Sequence, residues 1–322
     1  MRNSKKRGWI AAVIFLAAFL AIDALLCYLL IPNTYARISI HYMETEKSQD
    51  VFVGTSRGAC GIDPDKVDSI TGRTSVNLCL GAAFPTDYLY LIKEARRTGS
   101  AKRVIYELDA SYYVVPDYQG IQDPFIMNAM PFSSVKLEYY MDKNLGDDFR
   151  IGLFPWMFHR NGLASLKSSL EDKLSADYKN YTPPVDASGT YHSDGFLYYN
   201  RITEGWDKEQ NYLEFNESEI RADRVQALIQ MIQYCKANNI ELITVTLPVP
   251  EDSLNTRSED YQKADAYFRN IMDTYGVEYL NFEYLNTGFD NNLDGFRDYE
   301  GHMWGDTAEE FSSILGEYLK DN

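Results

Sequence analysis

The alternation of short apolar runs with amphipathic stretches between residues 50 and 108 constrains this chain most. Asp50–Val53, Ser75–Leu80 and Arg103–Leu108 read as strands. Between them, Asp63–Ile70 and Thr86–Arg97 read as helices. Pro64 follows an N-capping Asp63, and Tyr88, Leu89, Leu91, Ile92 and Ala95 recur at helical spacing. A β-α-β-α-β order brings every strand back in the same direction, so it predicts an α/β fold with a parallel sheet. The rhythm lapses over residues 110–215, an aromatic, loop-rich block with weak helices at Ser133–Asn144 and Asn161–Leu174 and an irregular loop or β-excursion at Tyr181–Tyr199. This block is expected to be an insertion or a cap over the sheet edge. The rhythm returns with helices at Glu217–Asn238, Ser258–Tyr275 and Asp306–Asp321 and strands at Ile240–Leu247 and Val277–Asn281.

The amino end belongs to a different class of sequence. Arg2, Lys5, Lys6 and Arg7 precede an apolar run from Trp9 to Ile31. At 1.5 Å per residue that run spans roughly 35 Å, enough to cross a bilayer. The flanking positive charge predicts residues 1–8 as a cytoplasmic tail and 9–31 as a transmembrane signal anchor, with the body outside the cell membrane. No small-residue cleavage pattern follows the run, so a retained anchor is expected. Residues 32–48 read as a stalk and 49–322 as the extracytoplasmic domain. Asp23 inside the run is costly in lipid. It is either protonated or tilted to the interface, or it meets a polar group on a membrane partner.

Formal net charge is −16. The first 31 residues hold four Lys/Arg and one Asp, so the remainder carries −19. An acidic body argues against nucleic acid as a partner. Cys60, Cys79 and Cys235 lie outside the apolar run without C-x-x-C spacing, which fits neither a disulfide framework nor a zinc site. The sequence has no metal-binding spacing, Walker loop or dinucleotide fingerprint, and neither a metal nor another cofactor is expected.

Ser56 sits in Val53-Gly-Thr-Ser-Arg57, at the carboxyl end of the first strand and on the turn into a helix. In open α/β sheets ligands gather at that edge. A serine there also serves as a plain helix cap. His302, one of four histidines, follows Asp298-Tyr-Glu-Gly and precedes the last helix. Early serine with late acid and histidine suits a nucleophile, a general base and a carboxylate that orients the base. An acidic surface loop is the duller alternative. Asp109 at a strand end is either a site carboxylate or a cap. His159, beside Trp156 and Phe158, either lines a cleft or is structural. Cys60 reads as core.

Gly54-Thr-Ser56-Arg57, Asn77-Leu-Cys-Leu-Gly81, Val104-Ile-Tyr-Glu-Leu-Asp109, Val245-Thr-Leu-Pro-Val-Pro250 and the late Asp298…His302 resemble, in this order, the blocks of SGNH/GDSL-type hydrolases. The similarity covers roughly residues 45–320 and leans toward the membrane-anchored branch that includes DltD and the alginate O-acetylation proteins AlgX and AlgJ. It implies a flavodoxin-like three-layer α/β/α fold, Ser56 as nucleophile and His302 as base. It also implies backbone oxyanion donors at Ser56 and Gly81. The family acid lies three residues before the histidine, where this chain has Tyr299. Asp298 is the preferred acid, with Glu300 as the alternative. No Gly-x-Asn-Asp block follows the third strand, where Asp109-Ala-Ser stands instead. Arg57, Asp109, His159 and Glu300 are the candidates for a substrate cleft.

The resemblance implies an esterase or O-acyltransferase working on a cell-surface polysaccharide or teichoic-acid-like polymer, by O-acetyl or D-alanyl transfer. It also implies a multipass membrane O-acyltransferase as partner. The shifted acid and absent asparagine equally suit a decayed site that binds glycan or scaffolds such a partner.

Overall fold

The computed structural model describes residues 2–320 except 82, 100, 117–122, 146–147, 159, 161, 186–187 and 203–207. Its elements, with shorter helices left unlabelled, run α1 (Arg2–Leu30), α2 (Tyr35–Glu46), β1 (Asp50–Val53), α3 (Ser56–Gly61), α4 (Pro64–Thr71), β2 (Ser75–Asn77), α5 (Pro85–Arg97) and β3 (Arg103–Glu107). They continue with β4 (Gly189–Tyr191), β5 (Leu197–Tyr199), α6 (Ala222–Ala237), β6 (Glu241–Thr246), α7 (Ser258–Tyr275), β7 (Glu278–Asn281) and α8 (Gly305–Lys320).

Five strands form one parallel sheet in the order β2-β1-β3-β6-β7. Both faces are covered, as parallel sheets require. Val51 and Val53 of β1 and Val104 and Tyr106 of β3 face a core completed by α2, α5, α6 and α7. Phe52 and Ile105 face the opposite core with Ile243 and Val245, built from α3, α4 and α8. The period-two alternation of strand side chains therefore feeds two cores, giving three α/β/α layers. The strand order reverses direction between β1 and β3, and such a switch point opens a crevice beyond the strand ends. Ser56 follows β1 at that crevice.

Local chemistry explains the boundaries. Asp63 caps α4 by accepting the Asp65 N–H, Pro64 opens it, and Gly72 at φ 70° ends it. The second strand stops at Asn77, short of the Leu80 read from sequence. The Cys79 N–H turns to the Asn77 side chain at 2.9 Å, while Asn77 Nδ2 donates to the Gly58 and Ile62 carbonyls. The helix read over Glu217–Asn238 begins only at Ala222. A 3₁₀ turn at Glu217–Glu219, capped by Asn216, precedes it, and Arg221 is extended.

The stalk expected at residues 32–48 is corrected to a packed helix. Thr34 caps α2, and Ala36, Ile40 and Met43, at helical spacing, are buried in the core shared with α5. Eight residues of apolar periodicity, Ala36 to Met43, are too few to stand out beside the long apolar run before them.

Residues 110–215 divide in two. Short helices between Asp123 and Lys179 pack against α1, α2 and α5. The later half holds the β4–β5 hairpin, antiparallel from Gly189↔Tyr199 to Tyr191↔Leu197. Its turn joins the sheet edge where Asn77 N–H donates to the Asp194 carbonyl at 2.6 Å. Gly195 is obligatory there: φ is 99°, and a Cβ would lie 1.8 Å from the Asn77 carbonyl oxygen.

Helix α1 is long and apolar enough over Lys6–Leu30 to cross a membrane. Its Asp23 carboxylate accepts a hydrogen bond from the Trp156 indole of the same chain, at 2.8 Å.

Candidate active site

Ser56 opens α3. Thr55, the N-cap, accepts the Arg57 N–H on its hydroxyl. Thr55 in turn donates both its N–H and its hydroxyl to Glu107 Oε2, at 2.7 and 3.0 Å. Burial pushes the Glu107 carboxyl up to about 7, although Arg57 opposes this. Gly54 makes the close approach possible, since a Cβ there would lie 2.5 Å from Glu107 Oε2 and 2.8 Å from its backbone oxygen. Gly54→Ala is expected to cost about 1–3 kcal/mol through this overpacking. It should also lower any Ser56-dependent rate, because the β1–α3 turn must shift; denaturant unfolding with esterase assays checks both effects.

His302 reaches Ser56 across 246 residues of chain. Its Nε2 lies 2.7 Å from Ser56 Oγ, and its Nδ1 lies 2.7 Å from Asp298 Oδ2. The second Asp298 oxygen accepts the Gly301 and His302 N–H groups, each at 3.1 Å. Those two bonds close a turn that sets a carboxylate four residues ahead of the imidazole. Gly301, at φ 106°, supplies the bend; a Cβ there would meet Val249 at 3.0 Å and Arg57 Nε at 3.3 Å. Glu300 points elsewhere and accepts from Asn211 Nδ2 at 2.7 Å.

The electrostatics follow from these contacts. Burial works to lower the His302 pKa, but the Asp298 hydrogen bond and charge, with Glu300, outweigh it and raise the imidazolium above 6.5. Burial works to raise Asp298, yet His302 and the two backbone donors hold it below the ordinary range. A neutral imidazole is needed to accept the serine proton. The acid limb of kcat/KM for ester hydrolysis is therefore expected above 6.5, and Glu300→Gln should move it to lower pH by removing one source of the upward shift.

Arg57 is not an open cleft residue but a buried clamp. Its guanidinium donates to the Leu247 carbonyl at 2.7 Å and sits 3.8 Å from Asp109 Oδ2. Burial opposes its charge, yet Asp109, Glu107 and Glu283 hold it above the ordinary range. It thereby ties the β1–α3 turn to the ends of β3 and β6. Asp109 also caps the following turn, accepting from the Ser111 N–H and hydroxyl.

Arg57, Asp109 and Glu300 do share a cavity of about 220 Å³, walled by Tyr212, Tyr261 and Glu283 among others. Burial pushes Glu283 up to about 8 and Glu300 up to about 7. Ser56 and His302 do not line this cavity, although their chain neighbours Arg57 and Glu300 do. Asn211, Tyr261 and Glu283 had no sequence signal. They are far from Ser56 in the chain, and only the meeting of β3, β7 and α7 gathers them.

Gly81 stands beside the serine, with its ideal Cβ position 3.5 Å from Ser56 Cβ. The Ser56 N–H, at the first position of α3, has no acceptor within that helix. Cys60 is fully buried and its thiol is pushed up to about 12 by burial, which marks it as core. His159 lies outside the described residues. Asp63, Asp65 and Asp194 bring carboxylate oxygens within 4.8 Å of one another. Asp63 is engaged there as a helix cap, and Asp194 accepts the Phe196 N–H.

Fold and site together define an α/β protein with a serine–histidine–aspartate hydrogen-bond chain at the carboxyl edge of its parallel sheet. No family model and no curated protein matches the sequence. Among solved structures the chain is similar to a candidate acylhydrolase from Bacteroides fragilis, at 10% identity and TM-score 0.36, covering 84% of this chain and 86% of that one. It is also similar to a GDSL-like lipase from Bacteroides thetaiotaomicron, at 10% identity and TM-score 0.38, covering 89% and 99%. Likeness at this level carries no argument, and the site rests on its own geometry.

Proposed function

We propose that this chain is a membrane-anchored serine esterase or O-acyltransferase of the SGNH/GDSL type. The observation that carries the reading is the unbroken chain Asp298–His302–Ser56, with both links at 2.7 Å. Ser56 Oγ attacks an acyl carbonyl while His302 Nε2 takes its proton. Asp298 fixes the tautomer and stabilises the imidazolium. The oxyanion is received by the N–H groups of Ser56 and Gly81. Collapse expels the leaving alcohol, protonated by His302, and leaves acyl-Ser56. Water or an acceptor hydroxyl, deprotonated by His302, then releases the acyl group.

The basic residues Arg2, Lys5, Lys6 and Arg7 before the apolar run support an anchor at residues 9–31 with its amino end, residues 1–8, in the cytoplasm and the folded body outside. A surface polysaccharide or teichoic-acid-like polymer is the acceptor or donor that this placement favours, with acetyl or alanyl as the acyl group. A multipass O-acyltransferase is the partner suited to supply it. The test is intact mass after treatment of the full chain with a fluorophosphonate, beside Ser56→Ala. One adduct, lost in the variant, is the expected result. No adduct on folded protein would turn the reading toward a glycan-binding or scaffolding role.

A further inference from the structure

Large apolar side chains lie exposed on the body, and they are concentrated in one place. Outside α1, 15 such residues are exposed among those described, and 12 of them fall between residues 132 and 174. Phe132 is 97% exposed, Leu163 68% and Leu174 59%. A scattered surface leucine needs no explanation, but a concentration of this kind in one segment does. Its charge also differs from the rest of the body: residues 132–174 hold six Lys/Arg and six Asp/Glu, within a body carrying −19.

The same segment is packed against the apolar part of α1. Phe154 meets Phe19 edge-on at 5.8 Å. Trp156 Nε1 donates to Asp23, and the Tyr28 hydroxyl donates to the Lys173 carbonyl at 3.2 Å. A bilayer core of about 30 Å takes up ~20 helical residues. Counted from Gly8, where the basic tail ends, Phe19 lies ~16 Å into that core and Asp23 ~22 Å, with Tyr28 at its far face. Groups touching these residues cannot lie above the membrane while α1 crosses it.

We infer that the described residues between 132 and 174 form a second membrane element, a platform whose exposed apolar side chains are sunk among the lipid acyl chains of the leaflet on the side of the folded body. The inference rests on α1 being a membrane span. Lipid is the occupant because helices of the segment pack on the apolar stretch of α1 and leave large apolar side chains exposed beside it. The Leu166–Leu174 helix closes its interior backbone hydrogen bonds, as lipid demands. Lys167 has a stem long enough to carry its ammonium toward the headgroups, and Glu171 pairs with it at 3.8 Å. Asp23 is then a docking point: it receives the Trp156 indole and holds the platform to the span at depth.

Quenching by brominated phosphatidylcholine in vesicles tests this with the full chain. Wild type, Trp9→Phe and Trp156→Phe are compared, so that each emission is obtained by difference. The expected result is that Trp156 loses as large a fraction of its emission as Trp9, and that Leu163→Trp adds a further quenched signal. Quenched Trp9 with unquenched Trp156 overturns the platform while leaving the span intact. Unquenched Trp9 removes the span and the platform with it. A lipid-dissolved carbene photolabel extends the test to native membranes. Labelling of residues 132–174 supports lipid contact. Protection there, against labelling in pure vesicles, would assign the patch to a membrane protein and overturn the lipid assignment.

Discussion

Ser56→Ala is expected to lower ester hydrolysis by the full chain by on the order of 10⁶-fold in kcat, and His302→Ala by a similar factor. The two residues act as one unit, because Ser56 Oγ loses its proton only to the His302 Nε2 that lies 2.7 Å away. The double variant should therefore be no slower than either single one. Asp298→Asn is expected to cost about 10⁴-fold while leaving the fold in place, because an amide favours the wrong imidazole tautomer. Glu300→Gln should leave most activity, since Glu300 hydrogen-bonds Asn211 and not the imidazole. Steady-state kinetics on p-nitrophenyl acetate across these variants check the set. Equal losses in Asp298→Asn and Glu300→Gln would refute the assignment of the acid.

Arg103→Met is expected to destabilise the chain by about 3–5 kcal/mol, the cost of stranding one member of a buried ion pair. Arg103 and Asp50 are register partners on β3 and β1, and both side chains are fully buried. The guanidinium reaches Asp50 Oδ2 through Nη2 at 2.5 Å and through Nε at 3.2 Å, and Nη1 donates to the Leu319 carbonyl at 2.6 Å. One side chain thus fastens two central strands to the last turn of α8. Removing it leaves Asp50 with Arg73 as its remaining cation, at 2.8 Å and partly exposed. The double variant Asp50→Leu/Arg103→Met should recover much of the loss, because the desolvation cost disappears with both charges. Thermal unfolding in detergent should show Tm falling by roughly 10 °C in the single variant. An unchanged Tm would mean that water reaches the pair.

The strands of the main sheet were readable because their apolar runs are local and bounded by Pro, Gly and Asn. Even so, the second strand ended early, where the Asn77 side chain takes the Cys79 N–H. The α2 segment was misread because its burial depends on α5, which lies forty residues on. Asp23 was legible as an anomaly, but its partner was not: Trp156 is 133 residues away.

Taken by itself, the sequence determined the alternation that makes a parallel sheet, the apolar length of the first helix, and the small set of residues able to act as nucleophile and base. These are properties of residue type and near-neighbour spacing, which period and turn chemistry express directly. The tertiary structure alone decided which carboxylate meets His302, that Arg57 is a buried clamp, and that Phe154, Trp156 and Lys173 meet the first helix. The last two depend on elements far apart in the chain coming together, and the first on the fold of one loop. Asp298 and Glu300 differ by two positions in one loop, and only the turn closed by Asp298 Oδ1 on the Gly301 and His302 N–H groups aims one at the imidazole and turns the other away.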